Sequence, residues 1–435
     1  MEAVVIFVSR HNGLLQNRAF RNLFVATTVS AASVSVARIA IPLSAVLALS
    51  ASGFEVGLVS AFLTLPFLLV GLPAGVWVDR VRRRNVLIIS QLARALVLFS
   101  IPLSWWTGTL TIWQLYAAVI LFGTCNVFYD VAYHSFLPQV AGREKLLEAN
   151  SRITGVQQVF EVGGPSFGGQ LVALLTAPIS FVVTSVGLAI SSWCVVRIDV
   201  VEEAPAREEK SRMIPEVAAG LRMVRNDSRL LAIAGSSAWL NLTGYAIYTA
   251  TMLFLARTLE LSPGWIGAFF SIGGLGGLLG ALAANRLSRA LGHGRVMWLI
   301  LLVGCPFSLL LPMVGSSWTL WLGACTNGVV TLTSVVYNVA QLSFCQAVTP
   351  DHLLGRMNAT MRFLTWSVMP IGSILGGMVA GWLGPREGLF ACAAASCVAF
   401  IPLLFSPLRG MRDLSPSVPD GEVRGESDRD SVLGN

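Results

Sequence analysis

The sequence predicts an all-α polytopic membrane protein, with twelve transmembrane helices in two pseudo-symmetric six-helix halves. Three observations predict it. Of 435 residues, 54% are hydrophobic and 12% are charged, about half the charge of a soluble domain. The charges cluster in short segments between apolar runs, twelve of which reach the ~20 residues needed to cross a bilayer. The chain also repeats: YDVAYHSFLPQV at Tyr129–Val140 aligns without gaps on YNVAQLSFCQAV at Tyr337–Val348. In that register Leu146 meets Leu354, Asn150 meets Asn358, and Gly168 and Gly169 meet Gly376 and Gly377. Asp79-Arg80 finds a counterpart in Asn285-Arg286. Duplicated halves are a common transporter plan, with the substrate cavity between them near the midplane.

In chain order the predicted spans are 23–49, 55–78, 85–105, 111–136, 153–175 and 178–198, then 229–256, 264–284, 295–314, 318–345, 358–383 and 387–407. The fifth and sixth part only at Ala177-Pro178. Residues 1–22 read as a cytoplasmic N-terminal segment. Val4–Val8 is too short for a signal peptide, and a polar stretch follows it. The arginines set the orientation. With the N-terminus inside, Arg10, Arg18, Arg21, Arg80–Arg84, Arg143, Arg197–Arg229, Arg286–Arg295, Arg356 and the tail from Arg409 fall on one side. Arg257 and Arg386 fall on the other, while Arg38 and Arg94 sit inside spans. This bias predicts both termini in the cytoplasm. Residues 199–228 form a cytoplasmic linker between halves 23–198 and 229–407, and 408–435 a polar tail expected to be disordered. Seven scattered cysteines read as small hydrophobes, with no metal or disulfide spacing. Twenty-eight arginines against two lysines suggest a GC-rich bacterial genome, hence an inner-membrane location.

The second span ends in GLPAGVWVDRVRRR, Gly71–Arg84, where hydrocarbon gives way to a block of arginines. This stretch resembles the loop between the second and third helices of the major facilitator superfamily, G-x-L-a-D-R-x-G-R-R. Gly75, Asp79, Arg80, Arg83 and Arg84 match it, and Arg82 replaces the usual Gly. The resemblance implies a conformational latch. Asp79 would lie near the N-terminal end of a helix in the other half, and Arg83 would pair with Asp130 near the inner end of the fourth helix. The plainer reading makes these arginines topology anchors only.

The fifth span carries Gly155, Gly163, Gly164, Pro165, Gly168 and Gly169. Small residues at this spacing open a groove for a neighbouring helix, and Pro165 can kink the span. The pattern resembles the G-x-x-x-G-P-x-x-G-G signature of exporters in the superfamily, including drug/proton antiporters. DVAYHSFLPQV, Glu148–Asn150 and Ala37–Leu58 are similar to the twelve-span group that includes macrolide-efflux proteins and the enterobactin exporter. Family membership implies the fold and transport. It does not identify a substrate.

Two charges lie deep. Glu161 is near mid-bilayer in span five and Arg38 somewhat further out in span one, by ~1.5 Å per residue. Each costs at least ~2.5 kcal/mol at the centre of an isolated helix, so both should face the cavity or each other. Dry surroundings favour the neutral acid and a guanidinium favours the carboxylate, so Glu161 can take and release a proton with conformation. A static pair locking two helices is the alternative. Arg94 and Glu55 are weaker candidates. Gln157, Gln158, Asn241, Tyr245, Asn338 and Gln341 are candidate cavity-lining residues.

The reading is a secondary transporter exporting a small amphipathic molecule (drug, macrolide or siderophore-like) by alternating access with proton antiport. An uncoupled facilitator or importer is the alternative. The partners are substrate, proton and bilayer, with no nucleic acid, no cofactor and a monomeric state expected. No G-x-x-x-x-G-K-[ST] is present. Four dispersed histidines argue against a membrane enzyme, and no segment is long enough for a receptor's output domain.

Overall fold

The computed structural model describes residues 13–78, 80–200, 221–315, 318–349 and 353–409. Asp79, nearly all of the predicted linker, the tail from 410 and the first twelve residues lie outside this set. The described residues contain helices and no strand. In order they are α1 (Arg18–Leu43, continued by a π-turn segment, Ser44–Ala48), α2 (Gly53–Val78), α3 (Arg83–Trp106), α4 (Ile112–Ala141), α5 (Leu146–Leu175) and α6 (Ala177–Val196). The second set is α7 (Ser228–Leu253, continued by a π segment, Phe254–Thr258), α8 (Pro263–Leu291), α9 (His293–Gly304, tightening to 3-10 over Cys305–Met313) and α10 (Thr319–Val348). It ends with α11 (Leu354–Trp366 and Met369–Leu383) and α12 (Pro385–Ser396, with Ile401–Leu404 after it). The end of the bundle where α1 begins carries the arginine-rich turns and is called the basic end; the opposite one is the far end.

Local chemistry sets these bounds. Asn17 caps α1 by accepting from Ala19 N at 2.9 Å, and Asp227 caps α7 by accepting from Arg229 N at 2.8 Å. Both satisfy a backbone donor that the first helical turn leaves unpaired. Gly142 ends α4 at φ +77, a conformation that costs glycine little. Three predicted spans prove interrupted where proline withholds a donor. Pro370 cannot donate to the Trp366 carbonyl, and α11 breaks at Ser367–Val368. Pro306 opens the 3-10 stretch of α9, and Pro402 follows the turns that end the first part of α12. Pro165, by contrast, leaves α5 continuous.

Eleven of the twelve helices are long and apolar enough to cross a membrane. The exception is α5, which carries Glu148, Arg152, Gln157, Gln158, Glu161 and Gln170. A helix this polar is stable in hydrocarbon only if its polar face is turned to protein or water.

Within the first set α1 packs on α5 and α6, and α4 on α2 and α3; within the second α7 packs on α11 and α12, and α10 on α8 and α9. The two sets meet along α5–α8 and α2–α11. These seams are equivalents under the repeat. A Cβ on Gly169 would lie 2.4 Å from the Pro263 carbonyl oxygen, and one on Gly377 would lie 2.3 Å from that of Gly53. Gly267 and Gly57 face those glycines in turn. Only glycine lets the backbones approach so closely.

The buried apolar side chains form three clusters. One lies toward the far end and draws on both sets, from Ile39, Ile41 and Phe122 to Phe254, Ile266 and Leu389. The other two lie toward the basic end, and each belongs to one set: Phe20, Leu87, Phe136 and Val195 in the first, Met297, Tyr337, Phe344 and Leu403 in the second. The molecule therefore has one core at its far end and two at its basic end, which leaves a cleft between the halves opening at the basic end.

Candidate functional site

At the closed end of this cleft the two deep charges meet. Arg38 Nη1 donates to both carboxylate oxygens of Glu161, at 2.8 and 3.1 Å. The surroundings explain why they reach each other. One turn before Arg38, Ser35 donates to the Phe160 carbonyl at 2.8 Å. A Cβ on Gly164 would fall onto the Ser35 hydroxyl, and one on Gly168 would lie 3.1 Å from the Val36 Cα. These two glycines let α1 lie close on α5, and the register then places Arg38 opposite Glu161. The second half closes on the same point. Tyr245 and Tyr248 of α7 lie within electrostatic reach of Arg38, and a Cβ on Gly274 of α8 would stand 3.1 Å from the Glu161 carbonyl oxygen.

Both side chains of the pair remain more than half exposed, at 52% and 58%. Counting ~1.5 Å per residue puts Glu161 midway along α5. A charge at the centre of an isolated span costs ~2.5–3.5 kcal/mol, and the charge-assisted bonds from Arg38 Nη1 to Glu161 offset part of that cost. The arrangement sets an exposed carboxylate beside a cation.

A second polar cluster lies in the first half. Arg94 of α3 is buried, at 1% exposure. It donates to Asn126 Oδ1 at 2.6 Å, to Ser30 Oγ at 3.3 Å and to Gln91 Oε1, and it lies 4.3 Å over the Tyr129 ring. Gln91 continues the network to Ser191, which donates to the Ala26 carbonyl. Four helices are joined by it. Asp130 is exposed next to this network, and the charged groups around it include Arg94, His134, Arg362 and Arg38.

The other predicted residues fall as follows. Gly155 and Gly163 have open space where a Cβ would stand, so only Gly164, Gly168 and Gly169 of that motif serve close approach. Gln157 and Gln158 are exposed on α5, as is Asn338 on α10. Asn241 and Asn338 donate within their own helices. Gln341 accepts from Ser237, which also bonds the buried Tyr337, so Gln341 ties α7 to α10. At the basic end, Arg84 donates to the Val195 and Val196 carbonyls and caps the end of α6. Arg80 is exposed, Gly75 has open space beside it, and the half-buried Arg83 opens α3. Bonds from Gln114 to Ser104 and from Arg94 to Asn126 fix the α3–α4 register. Asp130 then sits about six residues, some 9 Å, deeper than Arg83. The sequence reading overlooked Gln91, Asn126 and Arg362. The signal for them was a cation inside the eleventh span and a Gln one turn before Arg94.

A sequence model of the Major Facilitator Superfamily matches residues 23–372. The chain is 28% identical to the multidrug efflux pump Tap of Mycolicibacterium fortuitum over 380 residues, covering 84% of this chain and 90% of that one. It is 24% identical to the enterobactin exporter EntS of Citrobacter koseri over 418 residues, covering 93% and 95%. Among solved structures, the nucleoside transporter NupG superposes with a TM-score of 0.70 at 15% identity, over 89% of this chain and 98% of that one. A bacterial homologue of the iron transporter ferroportin, in an inward-facing state, gives 0.68 at 15%, over 89% and 98%. Likeness at such identities speaks to the fold alone.

Proposed function

Because this chain belongs to the major facilitator superfamily of membrane transporters, we propose that it exports a small amphipathic molecule by alternating access in exchange for protons. The observation that carries the reading is the half-exposed Arg38–Glu161 pair, set where α1, α5, α7 and α8 converge. In the proposed cycle Glu161 begins paired with Arg38. Protonation releases Arg38, loosens α1 from α5, and lets the halves rock about the seams. Relatives named as a multidrug efflux pump and an enterobactin exporter support export over import. The proposal places the basic end in the cytoplasm of a bacterial inner membrane, with both termini inside, which makes the cleft inward-open. Asp79, Arg80 and Arg83 would latch that end when it closes. Asp130 lies deeper and would join the latch through its own neighbours.

The test is accumulation of a macrolide and of a cationic dye in efflux-deficient bacteria, with and without a protonophore. Wild type is expected to lower accumulation of at least one, and the protonophore to abolish this. Glu161→Gln is expected to reach the membrane at normal levels and to export nothing. Normal export by Glu161→Gln would make the pair a static helix lock and move coupling elsewhere.

A further inference from the structure

Arg362 takes no part in the pair that carries the proposed coupling, yet it is a cation within the membrane span of α11. The charges of the cleft can be balanced one by one. Arg38 is neutralised by Glu161. Asp130 has the buried Arg94 as its foremost charged neighbour, and the hydrogen bonds of Arg94 go to neutral acceptors. Arg38, Arg94 and Arg362 are thus three cations against two carboxylates, and Arg362 is a lesser charged neighbour of Asp130 than Arg94 is. Its side chain is exposed, and among the described residues no carboxylate lies within ion-pair distance of it. Its guanidinium lies 4.3 Å over the Trp366 ring. Trp366 in turn meets Phe67 of α2, in the other half, edge-on with ring centroids 5.7 Å apart. That contact sets Trp366 against the first half, and Arg362 is among the charged groups around Asp130 of α4, which places it on the cleft side. It also lies one turn from the break at Ser367–Val368, and interrupted helices are where transporters of this plan place substrate.

We infer that Arg362 and Trp366 form a specificity subsite for the anionic end of a planar aromatic substrate. The inference rests on the cleft being the transport pathway. A guanidinium presents a flat fork of donors that matches a carboxylate, sulfonate or phosphate. Stacked on an indole, it also offers a planar surface beside its charge, so one substrate can use both. Glu161 and Asp130 are already compensated and add no net attraction for a cation.

The test uses two dyes that share a xanthene ring and differ in charge: fluorescein, an anion, and rhodamine 123, a cation whose pendant carboxyl is esterified. Full-length protein in nanodiscs is titrated with each and read by fluorescence anisotropy. Wild type is expected to bind fluorescein ~10-fold more tightly than rhodamine 123, the scale of one charge-assisted contact. Arg362→Gln is expected to weaken fluorescein and leave rhodamine 123 within ~2-fold, erasing the preference. Arg362→Lys should keep the sign of the preference at lower affinity. Arg362→Met replaces the Gln variant if the latter does not elute and melt like wild type. No preference in wild type, a preference for rhodamine 123, or a preference that survives Arg362→Gln would each overturn the inference. So would equal loss of both dyes in a well-folded Arg362→Gln, which would make Arg362 a gate partner of Asp130. Equilibrium binding is blind to direction and to coupling, so failure of the export reading and failure of this subsite are told apart.

Discussion

Ser35 and Gly164 show how closely the site is fitted at the scale of one residue. The Ser35 hydroxyl occupies the space a Cβ on Gly164 would need, with the Ser35 Cβ 2.6 Å from it. Gly164→Ala is expected to separate α1 from α5, cost ~1–3 kcal/mol in thermal stability and lengthen the Arg38–Glu161 contact. Adding Ser35→Gly should recover most of that loss, whereas Ser35→Ala should not. Arg94→Met is expected to cost on the order of 3 kcal/mol, because Gln91 and Asn126 lose a charged donor in a buried setting. Chemical denaturation in detergent measures both. Glu161 and Arg38 were legible in the sequence because a charge inside an apolar run needs a reason. Their partnership was not, since it depends on how deeply glycines let two helices approach. Arg362 escaped notice because it lies near the start of its span, where an arginine passes for an edge residue.

The seams of α5 on α8 and of α2 on α11 are glycine against backbone, so a methyl group has nowhere to go. Gly169→Ala and Gly377→Ala are each expected to shift the far end toward opening by ~1–3 kcal/mol. Hydrogen–deuterium exchange over residues 53–57 and 373–381 reads this as faster exchange, and unchanged protection there would refute it. The start of α7 responds to pH. Burial opposes ionisation of Asp227, but hydrogen bonds from the Arg229 side chain and backbone outweigh it and hold the carboxyl below its usual range. A depressed carboxyl adds stability above the unfolded value, ~3.9, and the gain disappears as pH falls through the folded value. Asp227→Asn keeps the cap, so it should be less stable than wild type at pH 7, by under ~1 kcal/mol, and equal to it in strong acid. Eleven of the twelve helices were readable from apolar length alone, α5 being too polar for that test. The break in α11 was not, because proline in a membrane span is compatible with a kink, a break or, as at Pro165, neither.

For the molecule as a whole, the repeat foretold two halves, and the arginines marked one end of the bundle. Which end stands open belongs to tertiary packing, in the division of one core into two. Gly155 offers a check, being exposed on α5 with open space beside it. Gly155→Cys is expected to react with an impermeant maleimide from the basic end and not from the far end, above the background of the native cysteines. Equal labelling from both sides would exclude a closed far end. The shared core has a thermal consequence as well. Each passage to the opposite state must divide that apolar cluster, and apolar contacts weaken on cooling. Opening of the far end should therefore carry a heat-capacity change, and cold should favour the form open at that end. In the proposed cycle, a far end closed by oily side chains acts as a thermometer, its resting pose drifting with the temperature of the membrane.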